Sequence, residues 1–289
     1  MEKQKKAYIY AVIVVLFWST IPSAFKISLR HLDILPLLFY ASLVSIIIFF
    51  LCLLFSKKLY LFKTLSKKDY SYSAVLGFLN PFLYYCVIFK SSTLLPAQQA
   101  QPLNFVWPIT LVLLSIPILK QKIKARDILA IFISFFGVFI ISTRGDLLGF
   151  KIDSPEGVFL ALSSTIIWSL FWIYNVRDKN DAVVRLFLNF IFGVIFVSAG
   201  MLLFEKIEIP NIRGFAGAAY IGMFEMGITF MLWLKALKLS KTTAHITNLI
   251  YLTPFLSLIV VRFAIDEVIL PASVIGLFLI VGGIILQRL

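Results

Sequence analysis

Few residues of this chain carry a charge, and fewer still could form a disulfide. Charged side chains make up 14% of the 289 residues, whereas 61% are hydrophobic and the mean hydropathy is +0.97. One water-soluble core cannot hide that much apolar surface, so the composition excludes a soluble globular protein. The two cysteines, Cys52 and Cys86, lie inside apolar runs and suit core packing rather than a disulfide framework or a metal site.

Residues that could support catalysis or metal binding are equally sparse. His31 and His245 stand far apart in the chain, with no carboxylate or thiol at ligand spacing, so we expect neither to bind a metal. No glycine-rich phosphate loop, Ser/His/Asp set or pair of catalytic carboxylates can be assembled from the remaining polar residues. We therefore expect no enzymatic activity and no cofactor.

Long apolar runs, each able to cross the hydrocarbon layer of a bilayer, fill nearly the whole chain. They lack the alternation of a membrane β-barrel, so an all-α membrane protein is predicted. We number ten such runs as spans 1 to 10 and place them near residues 8–25, 35–55, 71–90, 94–118, 126–143, 157–176, 183–204, 214–235, 243–262 and 268–287.

The basic residues predict an orientation. The formal net charge is +13, and lysine and arginine cluster between the apolar runs, which is typical of cytoplasmic loops rather than of a nucleic-acid-binding surface. If the N-terminus is cytoplasmic, nineteen of the 27 basic residues fall on the cytoplasmic side. We therefore expect a multi-pass protein of the cytoplasmic (inner) membrane with both termini in the cytoplasm.

The chain contains an internal repeat. Its one break of water-soluble character, RGDLLGFKIDSPE at 144–156, falls at the midpoint, and a shift of 146 positions places Pro108 on Pro254 and Gly137 on Gly283. We predict a first five-helix repeat at 1–145, a periplasmic connecting loop at 146–156 and a second repeat at 157–289. Because five is odd, the second repeat enters the membrane from the opposite side, and such inverted pairs place their site near the midplane.

Span 4 carries an unusual polar segment, QQAQPLNFVWP at 98–108. Gln98, Gln101 and Asn104 fall within about 120° of arc on one helical face. An unpaired amide in hydrocarbon costs several kcal/mol, so this face must turn toward other helices or toward water. Interhelical hydrogen bonds remain one interpretation; the lining of a cavity is the other.

The second half has matching polar features. Asn248 and Tyr251 provide a similar stretch on span 9, and Glu225 stands near the centre of span 8, where a carboxylate costs about 2.5–3.5 kcal/mol. Glu225 could bind a cationic amino group or carry a proton for coupled transport. The alternative is a neutral structural acid that is hydrogen-bonded to a neighbouring helix.

Four motifs carry a resemblance to a known family: FWSTIP at 17–22, IWS at 167–169, ALKLS at 236–240 and YLTPFLS at 251–257. Over its full length the sequence resembles the ten-helix EamA-type group of the drug/metabolite transporter superfamily, and LNFVWP at 103–108 is similar to the aromatic amino acid exporter branch. This resemblance implies that Trp107, Trp168, Tyr84 and Tyr85 line a central passage.

The sequence therefore predicts a secondary transporter that exports amino acids, including aromatic ones, by alternating access across the lipid bilayer. The cavity would be lined by spans 1, 3, 4, 6, 8 and 9. Another metabolite class (S-adenosylmethionine-like, nucleotide-sugar-like or drug-like) and a membrane scaffold without transport remain as alternatives. The predicted substrate-binding residues are Tyr84, Tyr85, Gln101, Asn104, Trp107, Trp168, Glu225, Asn248 and Tyr251.

Overall fold

The fold is helical throughout the part of the chain that the structure describes. The computed structural model describes residues 2–95, 103–148, 154–204, 209–265 and 270–288, and in these ranges every regular element is a helix. This confirms the predicted all-α class. Gln98 and Gln101, the middle of the connecting loop and the acidic pair at 266–267 lie outside the described residues.

The first half contains spans 1 to 5, of which spans 1 and 3 consist of more than one helix. A short 3-10 helix at Leu59–Thr64 precedes span 3. The bounds are Glu2–Trp18 and Ile21–Ser28 for span 1, Ile34–Phe55 for span 2, Lys67–Gly77, Phe78–Leu83 and Tyr84–Leu94 for span 3, Trp107–Leu119 for span 4, and Ala125–Ser142 for span 5.

The second half repeats this order with spans 6 to 10. The bounds are Pro155–Arg177 for span 6, Ala182–Phe204 for span 7, Ile212–Ile221, Gly222–Gly227 and Ile228–Leu239 for span 8, Ala244–Thr247, Asn248–Tyr251 and Leu252–Ile265 for span 9, and Pro271–Arg288 for span 10.

Seven of these stretches are long and apolar enough to cross a membrane, and spans 4, 9 and 10 are shorter or interrupted. One predicted boundary was wrong, because the helix of span 3 continues to Leu94, where span 4 was expected to begin. Leu95, which precedes Pro96 in the sequence, adopts an extended backbone. A residue before proline is disfavoured in the helical region, which explains why the helix ends there.

Polar caps begin three of the spans. Ser66 and Asp69 form a capping box at the start of span 3. The side chain of Ser154 accepts a hydrogen bond from the Gly157 amide at 3.1 Å and so begins span 6. Asn211 begins span 8 in the same way. Each cap satisfies an amide that the first helical turn leaves without a partner.

The packing of the spans shows the inverted repeat. Span 1 packs on span 8, and its repeat mate, span 6, packs on span 3. Spans 2 and 7 pack on each other, and spans 5 and 10 form a further pair, so each of these pairs consists of one span and its own mate. These pairs are the same when the halves are exchanged, as two inverted copies require.

Spans 5 and 10 meet at a close backbone crossing. A side-chain carbon on Gly137 would lie 2.5 Å from the Gly276 carbonyl oxygen, and one on Gly276 would lie 2.5 Å from the Gly137 carbonyl oxygen. Ser134 donates a hydrogen bond to the Ile280 carbonyl at 3.3 Å across the same interface. Small residues at this crossing let the two backbones approach, as membrane helices commonly do.

Candidate functional site

Spans 3 and 8 are interrupted at corresponding places by π-helical turns, Phe78–Leu83 and Gly222–Gly227. Within the first, Asn80 leaves the helical backbone region and Pro81 has no N–H to donate. In the second, Ser45 donates a hydrogen bond to the Gly222 carbonyl at 2.8 Å. Such turns are frequent at functional sites, because they free backbone groups and redirect side chains.

A cavity of about 520 Å³ lies beside these turns, between the two halves. Its volume falls within the range of about 300–1,000 Å³ that is typical of small-molecule pockets. Exposed residues at its rim, Pro22 in span 1 and Ser92 in span 3, show that it opens at the end of the bundle where those spans end. The residues that line it come from spans 1, 3, 4, 6, 8 and 9: Trp18, Ile21, Pro22, Tyr84, Ile88, Ser92, Leu95, Asn104, Phe105, Trp107, Trp168, Glu225, Ile250 and Thr253.

Glu225 is the one carboxylic acid among the described lining residues. Its side chain is 8% exposed, and Oε1 accepts a hydrogen bond from the Tyr85 hydroxyl at 3.0 Å. Its backbone carbonyl lies 3.4 Å from the Trp18 indole nitrogen, which donates to it. A carboxylate can accept several hydrogen bonds, so the Tyr85 hydroxyl leaves capacity for a ligand in the cavity.

Four tryptophans form a cluster next to Glu225. Trp18 lies 6.1 Å from Trp107, 6.1 Å from Trp168 and 5.7 Å from Trp233, measured between ring centroids. Trp233 is fully buried behind the three that line the cavity. Edge-to-face and tilted pairs at this separation are favourable arrangements of aromatic rings. The cavity therefore offers flat aromatic surfaces beside a carboxylic acid.

Three polar atoms that belong to lining residues have no hydrogen-bond partner within the protein. They are Asn104 Oδ1, the Trp168 indole nitrogen and Thr253 Oγ1. Buried polar groups are nearly always satisfied in native proteins, by protein or by water. In this structure the three atoms are closed off from solvent, so they are donors and acceptors of cavity-lining residues that the protein leaves without a partner.

The structure brings most of the predicted site residues together. Tyr84, Asn104, Trp107 and Trp168 line the cavity with Glu225. Tyr85 contacts the carboxyl group from behind. Gln101 lies outside the described residues.

Two predicted residues of span 9 lie elsewhere. Asn248 and Tyr251 are fully buried and do not border the cavity; their neighbours Ile250 and Thr253 do. The Tyr251 ring packs 6.4 Å from that of Phe135 in span 5. A 3-10 turn at Asn248–Tyr251 changes which residues of span 9 face the cavity. A contact of Asn248 or Tyr251 with solute stays a prediction.

Sequence reasoning did not identify Asn80. This residue is fully buried at the π-helical turn of span 3, and neither polar atom of its side chain has a partner within the protein. The signal was present in the sequence, since Asn80 and Pro81 stand in the middle of an apolar run. Proline inside a helix frees backbone groups, and a neighbouring amide is suited to bind them.

Polar contacts join the two halves at the end of the bundle opposite the cavity mouth, which we call the charged end. Arg185 of span 7 is 1% exposed and donates to the Asp69 carbonyl at 2.6 Å, to Asp69 Oδ1 at 3.1 Å and to Ser73 Oγ at 2.7 Å. Its Nε lies 2.5 Å from Asp178 Oδ2, an ion pair without an aligned hydrogen bond. The guanidinium carbon also lies 5.0 Å from the centre of the Tyr72 ring. Arg185 thus ties the second half to the start of span 3.

A second ion pair crosses the halves at the charged end. Lys58 Nζ lies 2.6 Å from Asp181 Oδ2, and this hydrogen bond raises the pKa of Lys58. Burial alone would raise the pKa of Asp181, but hydrogen bonds from Lys58 and from the amides of Val183 and Val184 together lower it. Lys238 of span 8 donates to the Asp178 carbonyl at 2.9 Å. Two ion pairs, Arg185–Asp69 and Lys58–Asp181, therefore join the halves at the charged end, whereas the cavity opens at the opposite end.

Comparison with known proteins agrees with this architecture. The sequence model of the EamA-like transporter family matches the chain twice, at residues 5–143 and 155–288. An uncharacterized transporter of Clostridium kluyveri is 26% identical over 97% of this chain and 93% of its own length. The aromatic amino acid exporter YddG of Ancylobacter novellus is 25% identical over 70% of each chain.

A solved crystal structure has the same fold. It superposes with a TM-score of 0.80 over 97% of this chain and 96% of its own, although only 20% of the aligned residues are identical. At that identity the likeness concerns the fold alone.

Proposed function

Because the chain belongs to the EamA-like transporter family, we propose that it is a secondary transporter that exports amino acids, including aromatic ones, by alternating access. The observation that carries this proposal is the cavity between the two halves, which places a carboxylic acid beside a cluster of tilted and edge-to-face aromatic rings. A membrane scaffold would have no need of a cavity lined by a carboxylic acid and by residues with unpartnered polar atoms.

The residues of the cavity divide into two groups in this proposal. Glu225 and Asn104 Oδ1 accept hydrogen bonds from the solute's ammonium group. Trp107, Trp168 and Tyr84 hold its side chain through ring contacts, which are favourable both with aromatic solutes and with cations. Tyr85 orients the Glu225 carboxyl group through its hydroxyl.

The orientation of the bundle determines which state of the transport cycle the structure represents. If the charged end is cytoplasmic, as the distribution of basic residues predicts, the structure represents a state that is open to the outside and closed to the cytoplasm. The ties of Arg185 and Lys58 would break in the other state, when the halves separate at the cytoplasmic side. This rocking of inverted repeats about a midplane site is the general form of alternating access.

Glu225 also gives the protein a route for proton coupling. A carboxylic acid that reaches the cavity in one state can exchange a proton there and release it on the other side. In this proposal the proton and the solute's ammonium group compete for the same oxygen atoms. A proton gradient would then drive solute in the opposite direction.

A flux assay in liposomes tests the proposed function. Purified protein is reconstituted, and release of radiolabelled phenylalanine or tryptophan is measured with and without a pH gradient. We expect release above that of empty liposomes and a large loss in Glu225→Gln, which keeps the volume and an acceptor for the Tyr85 hydroxyl. Glu156→Gln, an exposed acid at the start of span 6, is the matched control and should transport normally. Absence of flux with every amino acid tested would refute the proposal.

A further inference from the structure

The described lining of the cavity contains hydrogen-bond acceptors, one of them a carboxyl group, but no positively charged side chain. Glu225 contributes a carboxyl group, and Asn104 adds an unpartnered carbonyl oxygen. Among the described lining residues there is no lysine, arginine or histidine. The donors found there, such as the Trp168 indole nitrogen and Thr253 Oγ1, are neutral.

A zwitterionic amino acid presents both an ammonium and a carboxylate, and the cavity offers favourable partners to the first group but not to the second. The ammonium finds an acid and aromatic faces, which is the arrangement that binds organic cations. A carboxylate in the same space meets no positive charge among the described lining residues and lies close to Glu225. Burying a charge without a partner is unfavourable, and a like charge in a partly dry site adds repulsion.

The position of the acid strengthens this asymmetry. Glu225 is 8% exposed and has no basic partner in the described residues around it. The Tyr85 hydroxyl donates a hydrogen bond to its carboxyl group, and the Trp18 indole donates one to its backbone carbonyl. Among the described residues, no basic side chain therefore pairs with this carboxyl group. A cationic solute supplies the missing partner.

We propose that the cavity recognises the ammonium group and the aromatic body of its solute but not the carboxylate, so that aromatic monoamines are bound at least as well as the corresponding amino acids. Glu225 determines this preference, and Trp168 and Tyr84 hold the ring. This inference rests on the proposed function, because it concerns the solute of the same site. It extends the substrate class from amino acids to amines that carry an aromatic ring.

The test compares four compounds that share one ring and differ in charge: tryptophan, tryptamine, tryptophanamide and indole-3-propionate. Binding is measured for each by the rise in melting temperature of the purified protein, since a ligand of the native state raises it. We expect tryptamine and tryptophanamide to act at concentrations on the order of tenfold below that of tryptophan, because they lack the repelled carboxylate. Indole-3-propionate should cause no rise.

Two variants link the preference to the carboxyl group. Glu225→Gln should lose the response to both amines, whereas Glu156→Gln should keep it. If Glu225→Gln does not fold, Tyr85→Phe provides a second test, because it removes a neighbouring hydroxyl and leaves the acid in place. Because that hydroxyl orients the carboxyl group, the variant should weaken the response to both amines, and an unchanged response would contradict the role of Glu225.

The outcomes separate this inference from the proposed function. A response to indole-3-propionate, or to tryptophan without a response to tryptamine, overturns the inference while amino acid flux in liposomes still supports the proposed function. If none of the four compounds raises the melting temperature but amino acids are transported, the inference alone fails. If neither binding nor flux is found, both fail.

Discussion

We expect the ion pairs at the charged end to determine the fraction of molecules in which the halves are separated there. Asp69→Asn tests this directly. The change removes one negative charge but keeps an oxygen that can accept from Arg185 and from Asn180. It also replaces Oδ2, which accepts from the amide and hydroxyl of Ser66 in the capping box of span 3, so Ser66→Ala serves as the control for loss of that cap. Hydrogen bonds to a charged group contribute about 1.5–3 kcal/mol and neutral ones about 0.5–1.5 kcal/mol, so the variant should weaken the closed end by about 1.4 kcal/mol. That free energy corresponds to about a tenfold rise in the population that is open at the charged end.

The assay measures a distance across the halves. Spin labels at Lys63→Cys and Lys179→Cys, both exposed residues, report this distance by pulsed electron paramagnetic resonance in a protein whose Cys52 and Cys86 are serine. If the open population is about 1% before the change, it should reach about 10% after it.

The matched control is Glu2→Gln. Glu2 pairs with Lys6 at 2.8 Å within span 1, is 82% exposed and does not join the halves in that pair. Glu2→Gln removes one negative charge from the same end of the bundle and should leave the distance distribution unchanged. An unchanged distribution in Asp69→Asn, or an equal change in both variants, would refute the argument that this contact holds the end closed.

Three further predictions follow from individual contacts. Trp168→Ala should weaken the binding of tryptophan by about 1–2 kcal/mol, because ring contacts are lost. Phe159→Ala, at a 70% exposed residue of the same span, should leave binding unchanged. Equal losses of affinity for the two variants in binding isotherms would contradict this. Gly222→Ala should lower the melting temperature, because its new carbon would collide with the Ala41 carbonyl, but Gly282→Ala, with nothing within 4 Å, should not. Asp181→Asn should lower the melting temperature by the same amount at all pH values from about 5 to 9. The lowered pKa of Asp181 and the raised pKa of its lysine partner keep the pair charged in that window. A difference in melting temperature between the two proteins that changes with pH in this window would contradict a charged pair.

The architecture could be predicted because hydrocarbon imposes a simple constraint on sequence. Every spanning segment must be apolar and must satisfy its own backbone hydrogen bonds, so length and hydropathy locate the helices. The same constraint makes Glu225 conspicuous, and the structure places it in the cavity. Asn104, Trp107 and Trp168 could be identified because polar and aromatic side chains that cluster within an apolar span favour the lining of a cavity over contact with lipid.

The exact lining of the cavity could not be predicted, because it depends on interruptions of the helical period. Asn248 and Tyr251 were predicted to line the cavity because their stretch of span 9 matches the polar stretch of span 4, whereas in this structure Ile250 and Thr253, on either side of the end of a 3-10 turn, line it. The π-helical turns in spans 3 and 8 act in the same way. The tie formed by Arg185 was missed for another reason: it joins residues more than a hundred positions apart, and their charges resemble those of an ordinary loop.

The most direct test of the central claim is the accessibility of one cavity residue from both sides of the membrane. Thr253, which lines the cavity and is 5% exposed, is replaced by cysteine in a protein without Cys52 and Cys86. A membrane-impermeant thiol reagent is then added to sealed vesicles of each orientation. We predict rapid labelling from the open end, slower labelling from the charged end and faster labelling from the charged end in Asp69→Asn. Labelling from neither side, or from one side only under all of these conditions, would contradict a chamber that opens alternately to the two sides.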